Sequence, residues 1–316
     1  MPVVLPVVLP HVLTLVLTLV LPVVPPLHYT VGMKIPKRLA PLLEDGLITS
    51  VVRQLMSGKE AMVFVVRSGD DEPARCAKVY KEANKRAFRQ AVDYTENRKT
   101  KNSRQARAMA KGTRFGRQAQ EAAWQNAEVD ALYRLAAAGV RVPKPYNFHE
   151  GVLLMELVTG TDGNAAPRLN DVEFSAEIAL KYHQTLITEV VRMLCAGIIH
   201  GDLSEFNILI ANDGPVIIDL PQAVDAAGNN HAEAMLERDV ANLRNYFGRF
   251  ASELLTTTYG QEIWAHYRAG TLTPDTVLTG RYRRREKKVD MDGMLREIED
   301  VRLDEAARLL RMQSGD

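Results

Sequence analysis

The stretch that most narrows the folds open to this chain is His200-Gly201-Asp202-Leu203-Ser204-Glu205-Phe206-Asn207, followed at a distance by Asp219. Between Asn207 and Asp219 lie two apolar runs, Ile208-Leu209-Ile210 and Val216-Ile217-Ile218, separated by Ala211-Asn212-Asp213-Gly214-Pro215. An Asp-Gly pair between such runs predicts a hairpin. The hairpin carries Asn207 just before its first strand and Asp219 just after its second, so two oxygen ligands meet on one rigid element. Magnesium suits that pair, because it takes near-octahedral oxygen coordination and keeps several waters. Asp202 stands where it can accept a proton from a nucleophile. Taken singly, Asp202 and Asn207 would also serve as turn caps; with Asp219 they form a set that packing does not require.

An acid, an amide and a second acid in this order are the parts that phosphoryl transfer needs. Upstream, residues 36–44 read as a short helix, and residues 48–55, 61–67 and 74–80 as strands. Lys78 stands in the third strand between apolar neighbours, where an ammonium is unfavourable unless paired or bound to phosphate. A helix over 118–138 carries Trp124, Glu128, Ala131 and Leu135 on one face. Glu128 thereby shares the apolar side and is the natural partner of Lys78, and pairing resolves both buried charges. Two further strands, 146–149 and 152–157, lead through Met155-Glu156-Leu157-Val158 into Thr159-Gly160-Thr161-Asp162-Gly163, a polar exit whose backbone can face an adenine.

Beyond that point the chain reads as mostly helical. Ile178, Tyr182, Leu186, Val190 and Leu194 recur at every fourth position. Leu236, Val240, Leu243, Phe247, Phe250 and Leu254 form another stripe over 235–255, with Asp239 inside it. A buried Asp needs donors, and backbone N–H groups around Gly201 are the expected ones. A last amphipathic helix is expected over 304–312.

With 40 basic and 39 acidic residues, net charge gives no argument for a nucleic-acid partner. The distribution says more. Arg98, Lys99, Lys101, Arg104, Arg107, Lys111, Arg114 and Arg117 fall in 98–117 without an acid, and Arg281, Arg283, Arg284, Arg285, Lys287 and Lys288 fall in 281–288. Either run alone reads as a solvated face; together they open an RNA or ribosomal-subunit contact. Cys76 and Cys195 lack metal or disulfide spacing and are expected as reduced, buried thiols. Residues 1–32 are an apolar Val/Leu/Pro/Thr leader, interrupted by Pro6, Pro10 and Pro22. They read as a disordered tail or an over-long start ahead of Met33, and a membrane partner is not expected.

The chain resembles the RIO family of atypical protein kinases, most closely the type-one and bacterial branch. The resemblance covers about residues 33–250. It rests on Ser57-Gly58-Lys59-Glu60-Ala61, on Lys78 in Ala77-Lys78-Val79-Tyr80-Lys81, on Trp124 with Glu128, and on Leu154-Met155-Glu156. It continues through His200 to Leu209, Ile218-Asp219-Leu220-Pro221-Gln222, and Arg238-Asp239 with Tyr246-Phe247. It implies an α+β, bilobal protein-kinase-like fold: a leader at 1–32, a small mixed β-sheet N-lobe at 33–158, and a mainly helical, truncated C-lobe at 159–316.

The resemblance further implies a cytoplasmic serine/threonine protein kinase or ATPase that uses ATP and Mg2+ and acts on itself or on a protein substrate. Ser57 and Lys59 would then meet the terminal phosphates, and Lys78, set by Glu128, the inner ones. Glu156 and Val158 would offer backbone groups to adenine, with Met155 walling the pocket. Asp202 would act as base, Asn207 and Asp219 as metal ligands, and Asp219 also as a phospho-acceptor. Leu220-Pro221 replaces the Phe-Gly of ordinary protein kinases and no Ala-Pro-Glu follows, so an ordinary peptide groove does not follow from the resemblance. Two other classes remain open: a small-molecule phosphotransferase of the aminoglycoside or choline kinase type, and an ATP-gated ribosome or RNA scaffold.

Overall fold

The structure is a computed structural model and describes residues 36–58, 60–69, 71–81 and 114–282, with the backbone alone for 114–124. The leader 1–32, Lys59, the side chains of the basic run 98–117 and of Trp124, residues 283–288 of the second run, and the expected helix 304–312 lie outside what is described.

A 3-10 turn at Lys37–Leu39 runs into α1, Ala40–Glu44. Pro41 stands in its first turn, where a missing N–H removes no bond. Three strands follow: β1 (Ser50–Ser57), β2 (Ala61–Arg67) and β3 (Arg75–Tyr80). Then come α2 (Arg114–Ala137), β4 (Pro145–His149) and β5 (Val152–Glu156). The strands form one sheet in the order β1-β2-β3-β5-β4. Every pairing is antiparallel, so the sheet itself is not mixed.

Strand alternation puts Cys76, Lys78 and Tyr80 on one face of β3 and Ala77 and Val79 on the other. The second face packs on α1 through Leu39, Leu42, Phe64, Val66, Val152 and Leu154. The first receives α2, where Val129, Leu132 and Leu135 meet Tyr80 and Leu153. β3 is therefore covered on both sides, and its lysine sits under a helix rather than in water. The α2 core does not stop at the sheet. It continues into Leu186, Val190 and Leu194 of α3 (Ala176–Cys195), so apolar packing joins the sheet lobe to the helical one.

Ser175 caps α3, its Oγ accepting the Ile178 N–H at 3.3 Å. A strict four-residue spacing drifts roughly 40° per step around a 3.6-residue helix, which leaves Ile178 at the solvent edge. It is exposed, while Leu186, Val190 and Leu194 are buried. Cys195 is also exposed, contrary to expectation, because it closes the helix at its outer end; Cys76 is buried.

After α3, β6 (Ile198–Ile199) pairs with β9 (Val224–Asp225), and β7 (Ile208–Ala211) pairs with β8 (Gly214–Ile217). The β7–β8 hairpin is the expected one, but its tip is Asn212-Asp213, with Ala211 opposite Gly214. The stripe over 235–255 is not one helix. α4 spans Ala232–Phe247 and stops at Gly248, where a Cβ would collide with Leu255 and come within 2.9 Å of the Arg244 carbonyl. Phe250 lies in the turn beyond, and Leu254 in a separate 3-10 turn, Ser252–Thr256. A helix absent from the sequence reading, α5 (Tyr259–Arg268), completes the lobe. No helix among the described residues is long and apolar enough to cross a membrane.

Candidate active site

Lys78 joins the two lobes. Its Nζ lies 2.5 Å from Glu128 Oε1 on α2 and 2.9 Å from Asp219 Oδ1 beyond β8. The Lys78 and Glu128 side chains are 13% and 4% exposed, whereas Asp219 is 45% exposed. Burial pulls the lysine's pKa down, but Glu128 and then Asp219 outweigh it and hold the ammonium well above its usual range. Burial likewise pushes the Asp219 carboxyl up, and Lys78 foremost brings it below the usual carboxylate range. The cluster thus contains two carboxylates and one ammonium, and Asp219 is the carboxylate open to solvent. Asp219 also has φ 66°, a left-handed backbone that non-glycine residues adopt at a cost and that clusters at functional turns.

The loop carrying Asp202 is held from below by α4. Asp239 is buried and accepts the Gly201 N–H at 2.8 Å and the Leu203 N–H at 3.0 Å, as expected from its place in the stripe. Arg238 donates to the Gly201 carbonyl, and Asn242 Nδ2 to the Leu203 carbonyl at 2.9 Å. Burial pushes the Asp239 carboxyl up to about 6, against the pull of the two backbone donors. His200 ties this loop to the hairpin. Its Nδ1 accepts the Asp202 N–H at 3.3 Å, which assigns the ring proton to Nε2, 3.1 Å from the Ile218 carbonyl. Gly201 has φ 80°, a conformation glycine adopts without strain.

Asp202 is exposed. Asn207 Nδ2 donates to its main-chain carbonyl at 2.9 Å and reaches Oδ2 at 3.5 Å; Gln222 Nε2 reaches the same Oδ2 at 3.4 Å. The Asn207 carbonyl accepts the Ile218 N–H at 3.0 Å, which sets it beside the residue preceding Asp219. With its amide N–H groups given to Asp202, Asn207 keeps Oδ1 as a ligand atom. An ionised Asp219 and an amide oxygen fit magnesium, which binds through one or two protein oxygens plus phosphates and water. No cluster of three or more His, Cys, Asp or Glu suited to a metal occurs among the described residues, so a dedicated protein cage for a metal is not built there.

At the tip between β1 and β2, Gly58 N–H donates to the Ala61 carbonyl at 2.9 Å. Lys81 grips both sides of this tip. Its N–H donates to the Glu60 carbonyl at 2.8 Å, and its Nζ to the Gly58 carbonyl at 2.5 Å, with Ser57 Oγ 3.4 Å away. At the other end of the cleft, Met155 is half-buried against the core. The Glu156 N–H is used by the Lys144 carbonyl at 2.8 Å, and the Val158 carbonyl accepts the Ala166 N–H at 2.9 Å. The Val158 N–H has no acceptor among the described residues. Glu156's carboxylate is taken by Arg141, in two bonds of 3.0 Å each, and by the Lys144 N–H.

Lys78, Glu128 and Asp219 are thus in direct contact, and Asp202 and Asn207 likewise. Ser57 lies against Lys81 at the tip, and Glu156 and Val158 line the linker. Gln222, Arg141, Lys81 and Arg168 had no assigned role in the sequence. Gln222 and Lys81 stand inside quoted motifs, which was a usable signal; Arg141 and Arg168 are single charges in loops, where no periodicity marks them.

Comparison with known proteins identifies the family. The family described as RIO domain matches residues 62–259. The RIO-type serine/threonine-protein kinase Rio1 of Haloferax volcanii is 37% identical over 208 residues, covering 66% of this chain and 67% of that protein. Its namesake in Methanocaldococcus jannaschii is 32% identical over 213 residues, covering 67% of each. The human serine/threonine-protein kinase RIO1 is 30% identical over 219 residues, and there the match spans 69% of this chain but only 37% of the relative.

Proposed function

The chain belongs to the RIO family of serine/threonine-protein kinases, and from that membership we propose that its cleft transfers the terminal phosphoryl group of ATP, with magnesium, to a protein hydroxyl or to the protein itself. The observation that supports this reading is Lys78 Nζ in contact with both Glu128 and Asp219. A buried ammonium shared by one sequestered and one exposed carboxylate is set to receive a phosphate chain without moving far.

In this reading residues 33–158 grip the nucleotide and residues 159–316 carry the chemistry. Ser57 and Lys59 meet the terminal phosphates, and Lys78, oriented by Glu128, the inner ones. The Val158 N–H and the Glu156 carbonyl face adenine, and Met155 lines that pocket. Asp202, steadied by Asn207 and Gln222, orients the attacking hydroxyl and takes its proton. Asn207 and Asp219 hold the magnesium, which when bound neutralises charge developing on the phosphates. Asp219 is also an acceptor in its own right: a carboxylate oxygen bonds to the γ-phosphorus as the β–γ bridge breaks, ADP leaves, and water cleaves the acyl phosphate. The basic runs 98–117 and 281–288 supply the charge for an RNA or ribosomal-subunit contact, tested by salt-dependent co-sedimentation.

The test is radiolabel transfer from [γ-32P]ATP by the purified chain. Asp202→Ala and Asp219→Ala are expected to lose transfer while remaining folded; undiminished transfer in either removes that assignment. Label lost in hydroxylamine marks the acyl phosphate, and label that survives hydroxylamine and acid but is released by alkali marks a serine or threonine ester. Transfer to a small alcohol with no protein labelling would favour a small-molecule phosphotransferase.

A further inference from the structure

Arg168 has no part in the assignments above, yet its backbone is fixed on both sides. It forms an isolated bridge with Leu209 of β7. The preceding Pro167 carbonyl accepts the Ile210 N–H at 2.9 Å, and the following Leu169 carbonyl accepts the Tyr246 hydroxyl at 2.6 Å. Leu169 itself is fully buried. This anchored segment belongs to the helical lobe, but the side chain reaches to the other one. An Arg168 terminal nitrogen lies 3.6 Å from the Met56 sulfur, next to Ser57 at the end of β1.

A guanidinium carries five N–H donors, and a thioether is a weak acceptor. Among the described residues no carboxylate lies within ion-pair distance of Arg168, whereas Lys78 has two. A strong cation on a rigid base is therefore held against the end of β1, beside Ser57, on an acceptor that satisfies little of it.

We propose that Arg168 is a further specificity-determining residue of the nucleotide site, its guanidinium binding the phosphate chain of a nucleoside triphosphate from the helical-lobe side as Lys78 does from the sheet side. The proposal rests on the reading of the cleft as an ATP site. Binding would exchange the Met56 contact for charge-assisted bonds to phosphate, so the arginine selects for the number of phosphates and not for the base.

The test titrates MgATP and adenosine separately into the full chain. Arg168→Gln is expected to weaken MgATP about tenfold, the worth of one charge-assisted hydrogen bond, and to leave adenosine within about twofold. Arg168→Lys should fall between, since it keeps the charge without the fork. Met56→Leu should leave both affinities unchanged. Equal weakening of the two ligands by Arg168→Gln, no weakening, or a Met56→Leu variant that copies it would overturn the proposal. A wild type that binds adenosine as tightly as MgATP overturns the cleft reading itself, whereas a wild type that prefers MgATP, with Arg168→Gln equal to it, overturns only the role of Arg168.

Discussion

Two charge clusters tie the sheet lobe to the helical lobe, and they differ in how fully their atoms are used. Behind the linker, Arg141 bonds both oxygens of Glu156, holds Asp213 in the hairpin tip at 3.1 Å, and gives its own N–H to Glu189 at 2.9 Å. Its carbonyl accepts the Ile217 N–H at 3.0 Å. Every group around that arginine has a mate inside the protein. In the cleft, Lys78 serves two carboxylates, and Asp219 remains 45% exposed. A saturated cluster fixes positions, and an unsaturated one is available to a ligand. The contrast also separates cost from use. The outer cluster is partly solvated, where an ion pair contributes about 0–1 kcal/mol. The inner one holds a buried ammonium that would be strongly destabilising without its partners.

The contrast is broken most sharply by removing the exposed acids. Asp219→Ala or Asp202→Ala should lower phosphoryl transfer by about three orders of magnitude or more, since on the proposed roles each removes a group acting at the reacting phosphate. Asp202→Ala should melt close to wild type, whereas Asp219→Ala removes one of the two counter-ions of Lys78 and should melt somewhat lower while staying folded on the remaining Glu128 pair. Next in size, Lys78→Met should lower kcat/KM for ATP by roughly a hundredfold, and Glu128→Gln by roughly tenfold, since Asp219 still holds Lys78 in the second variant. A Glu128→Gln loss equal to that of Lys78→Met would mean that Glu128 does more than orient the lysine.

A third prediction concerns Asp239, whose carboxyl is raised from 3.8 to about 6 by burial. A raised carboxyl binds more protons folded than unfolded between those values. Its favourable contribution is therefore complete below about pH 4 and lost as pH rises through 6. Asp239→Asn lacks this dependence, so the stability gap between wild type and variant should narrow by up to about 3 kcal/mol from pH 4 to pH 7, read by denaturant titration. A gap constant across that range contradicts the burial argument. The charge is nonetheless retained, because only an acceptor with two free oxygens holds the Gly201 and Leu203 N–H groups together. The smallest effect is expected at the saturated cluster. Arg141→Gln should cost about 1 kcal/mol in stability and leave turnover at saturating ATP within about twofold.

Much of the inner cluster was legible in the sequence because each member breaks a pattern. Lys78 interrupts an apolar strand, Glu128 an apolar helix face and Asp239 an apolar stripe; Glu128 and Asp239 are buried, Lys78 is mostly so, and each has partners in the structure. The hairpin was legible from its turn residues, although its tip falls one residue earlier than the Asp-Gly pair. The outer cluster was not legible. Arg141 follows a helix exit, where periodicity has ended, and its partners lie in a strand end, a turn and a distant helix. The stripe over 235–255 misled because Phe250 and Leu254 keep helical spacing after the helix has stopped. Gly248 was the signal, and its tight approach to Leu255 is a tertiary fact. Cys195 misled because apolar neighbours in sequence do not report which end of a helix faces water.

Isothermal titration of MgATP into wild type, Lys78→Met and Arg141→Gln compares the two clusters in one experiment. Wild type and Arg141→Gln should bind within about threefold of each other, and Lys78→Met at least about tenfold more weakly, the cost of an unanswered phosphate charge. Lys78→Met binding as tightly as wild type would contradict the claim that the cleft cluster is built to receive the nucleotide.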